Sequence, residues 1–253
     1  MLHEDRSRAE SFGAVAELYD NSRPTYPAAL IDALLAGGAR RVLDVGCGTG
    51  IASALLAERG CEVTGVEIDE RMAALARAKG IDVEVAEFER WDDRGRRFEL
   101  VSSAQAWHWI QPDAGAAKAA SVLTPGGRIG CFWNIGEPPP HVRERLDPIY
   151  ARLAPELQNR AVGVGKPGGH TSEAAAEFDR SGLFEPPEVQ RFEWTRAYTT
   201  DEWLRMLATH SDHQTLPPPQ LDALLAAVGE AIDTLGGSFE FPFKTTLVSA
   251  TRR

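Results

Sequence analysis

The chain has 253 residues, 43% of them hydrophobic and 25% charged, an ordinary composition for one large α/β domain or a core domain with a small cap. Its net charge of −10, from 27 basic and 37 acidic side chains, argues against a broad nucleic-acid surface, which needs clustered Lys and Arg. No apolar run approaches the ~18–20 residues of a bilayer span, and the charged start Met1-Leu2-His3-Glu4-Asp5-Arg6 lacks a signal-peptide core, so a cytoplasmic protein with no membrane partner is expected.

Taken in chain order, residues 1–11 are polar, and Phe12 to Asp20 reads as a helix. Asn21-Ser22-Arg23-Pro24-Thr25-Tyr26-Pro27 breaks it with two prolines, and Ala28 to Ala36 is a second helix. An alternation follows. Strands are expected near 41–45, 62–66, 82–85, 98–102 and 128–133, with helices near 50–59, 70–78 and 113–123. That order predicts a doubly wound parallel sheet with right-handed crossovers and helices on both faces.

Beyond Trp133 the pattern loosens. Gly136-Glu137-Pro138-Pro139-Pro140 is a break, residues 141–157 are helical, and 161–170 form a glycine-rich loop. A helix over 172–181, a strand over 187–198, a helical stretch over 200–234 and a last strand over 243–252 complete the chain. Pro217-Pro218-Pro219 reads as a linker between two helices.

The most informative run is Val42-Leu43-Asp44-Val45-Gly46-Cys47-Gly48-Thr49-Gly50, a short apolar strand ending in a glycine-dense turn. A helix and a second strand ending in Glu67-Ile68-Asp69 follow, so one βαβ unit is built to hold a nucleotide-like ligand. Glu67 lies seventeen residues past Gly50. That is close to the roughly 20 at which an acid meets ribose hydroxyls. The glycine spacing is G-x-G-x-G rather than G-x-G-x-x-G, and Asp44 precedes it by two residues. A buried anion beside a diphosphate is unfavourable, but beside an amine or a sulfonium it is favourable. A nicotinamide dinucleotide is therefore disfavoured.

Asp44 to Gly50 resembles the first motif of class I S-adenosylmethionine-dependent methyltransferases. Val66-Glu67-Ile68-Asp69 is similar to that family's ribose-binding acid, and Ala86-Glu87-Phe88-Glu89 to its acidic loop against adenine. Phe98 to Ser103 matches the fourth strand, and Leu123-Thr124-Pro125-Gly126-Gly127-Arg128 the turn before the fifth. The N-terminal segment with Phe12, Tyr19, Arg23 and Tyr26 is like a lid over the cofactor. The resemblance implies S-adenosylmethionine as cofactor and a seven-stranded sheet in the order 3-2-1-4-5-7-6, the last strand antiparallel. It implies one methyltransferase domain over 1–253, with a helical lid at 1–36 and a cofactor-binding core at 37–135. Helical insertions at 136–182 and 199–237 would form an acceptor-side cap. The cofactor contacts it implies are Asp44, Gly46, Cys47, Gly48, Gly50, Glu67, Ile68, Met72, Glu87, Phe88, Ser103, Ala104 and Gln105, with Tyr19 and Arg23 from the lid.

The methyl acceptor is expected beyond the fourth and fifth strands. There the chain reads Ser103-Ala104-Gln105-Ala106-Trp107-His108-Trp109-Ile110, and later Phe132-Trp133-Asn134. Aromatic faces attract a sulfonium, by about 0.5–2 kcal/mol each, and exclude water. Tyr26, Trp107, Trp109, Trp133, Asn134, His210 and His213 are the expected acceptor contacts. His108 is the candidate catalytic residue, either as a base or as a hydrogen-bonding group. The W-H-W run is similar to small-molecule methyltransferases of the trans-aconitate type, which implies a carboxylate oxygen as acceptor. N- or C-methylation of a secondary metabolite, or cofactor binding without transfer, are the alternatives.

Cys47, Cys61 and Cys131 are scattered, which suits reduced structural thiols. His210-x-x-His213 is a possible metal pair without a third ligand nearby in the reading, so no metal is expected. No heptad run or interface stripe speaks to an oligomeric state.

Overall fold

The structure, a computed structural model, describes residues 16–157 and 169–253. Phe12 and all but the end of the expected 161–170 loop lie outside the described residues. The N-terminal helices are α1 (Ala16–Ser22) and α2 (Ala28–Leu34). The core then alternates β1 (Arg41–Val45), α3 (Ile51–Ala57), β2 (Glu62–Glu67), α4 (Glu70–Ala78) and β3 (Asp82–Val85). It continues with β4 (Phe98–Ala104), α5 (Pro112–Val122) and β5 (Leu123–Gly136). The C-terminal part adds α6 (Pro140–Leu153), α7 (Gly169–Ser181), β6 (Glu188–Thr199), α8 (Thr200–Ala208), α9 (Pro218–Asp233) and β7 (Ser238–Thr251).

The seven strands lie in the order β3-β2-β1-β4-β5-β7-β6. β1 pairs in parallel with β2 and β4, and β4 in parallel with β5. β7 runs antiparallel to both β5 and β6. The expected doubly wound, seven-stranded sheet is therefore the observed one.

Side-chain alternation along these strands builds two layers of core. Val42, Leu100, Phe132 and Leu247 meet Leu30, Ile31 and Leu34 of α2, Leu56 of α3 and Ala73 and Ala76 of α4. Their sequence neighbours Leu43, Val101, Cys131, Trp133 and Val248 point the other way, to Ala116 and Ala119 of α5 and Ala174 and Phe178 of α7. Local signals set the ends. Asp69 caps α4 by accepting from the backbone of Arg71 and Met72. Gln111 caps α5 ahead of Pro112, and Thr199 with Glu202 forms a capping box on α8.

A third cluster forms the cap. β5 meets β7 only as far as Gly136 opposite Phe243, whereas β6 and β7 continue as a two-stranded ribbon to Thr199 opposite Ser238. Tyr198, Phe239, Phe241 and Phe243 of this overhang pack with Val142, Leu146 and Tyr150 of α6, Trp203 and Met206 of α8, and Leu224 and Val228 of α9. Because β7 is antiparallel, its overhang projects at the carboxyl ends of the parallel strands, where open α/β sheets bind ligands.

Several boundaries differ from the expectation, each for a local reason. α1 continues through Asn21 and Ser22, whose side chains bond back to the carbonyls of Glu17 and Leu18. The Leu123–Arg128 turn is absorbed into β5 as an irregularity, with the register jumping between Phe98–Leu123 and Leu100–Arg128. Pro218 and Pro219 open α9 instead of linking two helices, since a first helical turn needs no N–H donors. β7 starts at Ser238, not Phe243; Pro242 interrupts its sequence pattern but stands beyond the end of β5, where only β6 needs a partner. The 136–182 insertion also divides, with α6 in the cap cluster and α7 under the sheet.

Candidate active site

β1 delivers Asp44 and the glycine turn to one end of the sheet. Gly46 has φ +64°, and a Cβ there would lie 2.5 Å from the Cβ of Ala106, so only glycine lets the turn pass the end of β4. Gly50, at φ 82°, occupies the position before α3 and packs against Ala76 of α4. Met72, from the first turn of α4, places its methyl group against Gly48. Cys47 is buried and packs in the core on the other side of the loop.

Asp44 is fully buried and accepts from Ser53 Oγ at 2.5 Å and Ser102 Oγ at 2.7 Å. Burial pushes its carboxyl up to about 6 although the two hydroxyls oppose the shift. At neutral pH the group is an anion held in a dry site. Glu67 is also buried. Its Oε2 accepts from Gly48 N at 2.8 Å, and its Oε1 from Ile68 N at 2.9 Å and Asp69 N at 3.0 Å. Burial raises this carboxyl, and the three backbone donors hold it down. Oε1 is saturated by its two backbone donors, and Oε2 keeps one acceptor site that a ligand hydroxyl can still take. Asp69 does different work, capping α4 and pairing with Arg71 at 2.6 Å.

Ser103 donates to Val45 O at 2.9 Å, which ties β4 to β1. After Ala104 the chain turns through Gln105, a non-glycine residue with φ 56°. A left-handed conformation of this kind costs on the order of 1–3 kcal/mol, and it sits where β4 opens into the site. Gln105 N donates to Phe132 O at 2.9 Å, and its side-chain amide to Asn134 O at 3.3 Å.

The segment from α1 to Tyr26 forms a strap over this end of the sheet, fastened at four points. Lys79 donates to the Asp20 carboxylate and, at 2.9 Å, to Thr49 O in the glycine turn. Arg23 donates from Nε to Thr209 Oγ1 at 2.9 Å and from Nη2 to Thr209 O at 2.7 Å, with its guanidinium 4.7 Å from the Tyr19 ring. Arg196 Nη1 donates to Arg23 O at 3.3 Å, and Asn134 Nδ2 to Thr25 O at 3.0 Å. Tyr26 meets Phe132 edge-on at 4.9 Å. Its phenol is pushed well up, first by burial and then by the charges of Tyr19 and Asp44.

Beyond β4 and β5 the structure brings together an imidazole–indole wall. Trp133 Nε1 lies 3.1 Å from His108 Nδ1. An indole N–H is only a donor, so His108 Nδ1 must be the accepting nitrogen, and the neutral ring carries its proton on Nε2. His108 stacks on His170 at 4.1 Å with an interplanar angle of 11°, and Trp109 lies 5.0 Å away at 43°. His170, in the first turn of α7, was absent from the sequence candidates. It follows a glycine-rich stretch without periodicity, and only the fold carries it across to residue 108.

Other expected contacts have different surroundings. Trp107 is a core residue, 2% exposed, tilted against Phe88 and Phe178, and it donates to Glu177 Oε2 at 3.2 Å. Its indole is therefore turned into the protein rather than toward an acceptor, because Phe178 of α7 fills the space below the sheet. Phe88 shares that core, whereas Glu87 pairs with Arg90 at 3.2 Å. Asn134 is fully buried and has both ends of its amide engaged: Oδ1 accepts from Thr245 Oγ1 at 2.6 Å while Nδ2 holds the strap. Glu177 was not read from the sequence. Its Oε1 is buried without a partner, and burial pushes the carboxyl up to about 7.

His213 is fully buried in the cap, with Nδ1 2.9 Å from Asp212 Oδ1 and Nε2 2.9 Å from the Tyr150 hydroxyl. His210 lies beside it, ring centroids 5.4 Å apart, with Nε2 buried and unpartnered. Asp212 is the third group that the His-x-x-His reading lacked, and one ligand atom from each of the three falls within 4.8 Å of the others. Both nitrogens of His213 are already in hydrogen bonds, and the Arg23 charge acts on His210, so the cluster is organised as a hydrogen-bonded network.

Residues 42–127 match the family model described as a methyltransferase domain. An uncharacterized methyltransferase of Mycobacterium tuberculosis (strain ATCC 25618 / H37Rv) is 34% identical over 259 residues, covering 97% of both chains. One of Schizosaccharomyces pombe is 22% identical over 86% of this chain and 85% of its own. Among solved structures, one described as a type II methyltransferase from Anaeromyxobacter dehalogenans superposes with a TM-score of 0.65 at 24% identity, covering 90% of this chain and 97% of that one. Phosphoethanolamine N-methyltransferase 2 of Haemonchus contortus, solved with S-adenosyl-L-methionine, superposes with a TM-score of 0.53 at 15% identity, covering 100% and 60%. The fold is that of a class I methyltransferase. The chain belongs to the methyltransferase family and is an S-adenosylmethionine-dependent enzyme. The residues present fit that cofactor: a dry anion at Asp44, acceptor capacity on Glu67 and a loop whose first Cβ would collide with Ala106.

Proposed function

We propose that the enzyme methylates a small-molecule acceptor at a carboxylate oxygen, in an aromatic pocket that needs no general base. The observation that carries this reading is the Trp133–His108 hydrogen bond. With Nδ1 accepting from the indole, neutral His108 offers an N–H and not a lone pair. A hydroxyl or ammonium acceptor has to lose a proton during transfer, whereas a carboxylate is already ionised at neutral pH. An N–H donor beside it orients the nucleophilic oxygen and leaves a lone pair for attack. The resemblance of Trp107-His108-Trp109 to the trans-aconitate methyltransferase type points the same way.

The bound cofactor supplies an electrophilic methyl group on a sulfonium. In this reading Asp44 favours the cationic end, Glu67 Oε2 accepts from a ribose hydroxyl, and Met72, Ile68 and Glu87 border the nucleoside. The strap with Tyr19, Arg23 and Tyr26 serves as the lid, and the helical cap closes the acceptor side. Trp109, His170 and Trp133 exclude water, which strengthens the electrostatics around the transferring group.

Substitution of His108 tests the reading. His108→Gln keeps a donor near the Nε2 position and should retain kcat/KM within about tenfold, whereas His108→Phe should lose 100-fold or more, the scale of a lost transition-state hydrogen bond. Equal losses in both variants, with a rate in the wild type that rises through a histidine titration, would identify a base and remove the case for a carboxylate.

A further inference from the structure

Two polar defects meet at the seam between strap and cap. Arg23 is half-buried, and among the described residues no carboxylate lies within ion-pair distance of it. Its guanidinium meets the neutral oxygens of Thr209 and the Tyr19 ring. A partly desolvated cation with only neutral acceptors is under-compensated. The next residue along the cap, His210, is 8% exposed, and its Nε2 is buried with no partner. Burial and the Arg23 charge hold this imidazole well below its usual range, so it is neutral. A buried ring nitrogen left unbonded is destabilising until a partner reaches it. The two defects lie together, since Thr209 binds Arg23 and precedes His210. Both are relieved by one anion.

We propose that Arg23 and His210 form a carboxylate subsite that pins the strap to the cap when ligand is bound. The guanidinium supplies charge and an N–H, and His210 supplies an Nε2–H in the tautomer that an anion selects. A metal ion fits this place less well, because the Arg23 cation would repel it. Arg23 also lies on the Asp44 side of the strap, since the buried Tyr26 phenol feels the charges of both. A carboxylate could reach it from the amino-acid end of the cofactor or from the methyl acceptor. Only the second source rests on the carboxylate reading above.

Calorimetry on the full chain separates the cases. Wild type, Arg23→Gln and His210→Gln are titrated with S-adenosylhomocysteine and with 5′-deoxy-5′-methylthioadenosine, which lacks the amino-acid carboxylate. Glutarate is then added to each S-adenosylhomocysteine complex, and the melting temperature is followed. If the cofactor supplies the carboxylate, both variants bind S-adenosylhomocysteine about tenfold more weakly, a loss of about 1.4 kcal/mol, and bind methylthioadenosine as the wild type does. If the acceptor supplies it, S-adenosylhomocysteine affinity stays within twofold, and glutarate stabilises the wild-type complex but neither variant. Folded variants that match the wild type in all these readouts overturn the subsite. His210→Gln keeps the Arg23–Thr209 bonds, so its result stands even if Arg23→Gln unfolds the seam. A wild type that binds the cofactor and responds to no dicarboxylate, with weakened cofactor binding in both variants, retains the subsite while removing its support for a carboxylate acceptor.

Discussion

The cofactor side and the acceptor side of the enzyme are assembled in opposite ways. Asp44, the glycine turn and Glu67 come from one contiguous βαβ unit, and backbone bonds such as Gly46 N to Val66 O hold them in register. The proposed acceptor side draws on residues 19–26, 108–109, 133–134, 170, 196 and 209–213. Its fastenings span long sequence separations, as between Arg23 and Thr209 or Trp133 and His108. One side is a local motif supported by the sheet, and the other exists only once the cap has folded onto the ribbon of β6 and β7. Damage to the first should therefore appear in cofactor affinity, and damage at His108 and Trp133 on the second in turnover.

The largest expected effect follows Gly46→Ala. The new methyl group would stand 2.5 Å from the Ala106 Cβ at a backbone φ of +64°, so strain and clash combine. A loss of about 3 kcal/mol or more in S-adenosylhomocysteine binding is expected by calorimetry. Normal affinity would mean that the turn is not held against β4. Glu67→Ala should cost roughly 1–3 kcal/mol of the same affinity, the scale of hydrogen bonds to a buried charged group. An unchanged dissociation constant contradicts the ribose role.

Asp44 sharpens the comparison through pH. Burial pushes its carboxyl up to about 6, and the ammonium group of S-adenosylhomocysteine prefers the ionised form. Affinity for S-adenosylhomocysteine should rise about tenfold from pH 5 to pH 7 and then level off, with proton release at the lower end. In Asp44→Asn the curve should be flat and the affinity lower. A wild-type affinity that falls with rising pH would reverse the assigned sign.

On the acceptor side, Trp133→Phe keeps the ring volume but removes the N–H that fixes His108. Turnover should fall about tenfold with cofactor affinity unchanged, and the ¹⁵N shifts of His108 should show mixed tautomers. A single Nε2–H tautomer in the variant would show that Trp133 does not set it. The smallest effect concerns Glu177. Its carboxyl is raised to about 7, so ionisation costs folding stability as pH rises from the unfolded value toward 7, and that cost persists above it. Glu177→Gln should raise the melting temperature by a few degrees at pH 8 and change it little at pH 5. Equal shifts at both pH values would rule out titration as the cause.

The same contrast explains what was legible in the sequence. β1 and α4 fall where the pattern puts them, because a strand buried on both faces and a capped helix carry their signals locally. The order of β6 and β7 came from resemblance, since periodicity says nothing of which strands are neighbours. Trp107 and Trp109 are two residues apart in an aromatic run and look alike, yet the 3₁₀ turn over Trp107–Trp109 sends the first indole into the core under Phe178 and leaves the second partly exposed. His170 and Glu177 were invisible because their partners lie 62 and 70 residues away, across a loop and a strand. The two-proline strap was legible as a break, but its bonds to Asn134, Arg196 and Thr209 are purely tertiary.

The most direct measurement is transfer of isotopically labelled methyl from S-adenosylmethionine to a panel of small carboxylic acids, amines and phenols, followed by mild alkaline hydrolysis. A methyl ester releases its label as volatile methanol, whereas methylated nitrogen, carbon and ether oxygen retain it. The proposed role of His108 as a donor rather than a base predicts volatile label with one or more carboxylic acids and none with their amides. Label that stays fixed on an amine or a phenol would contradict it.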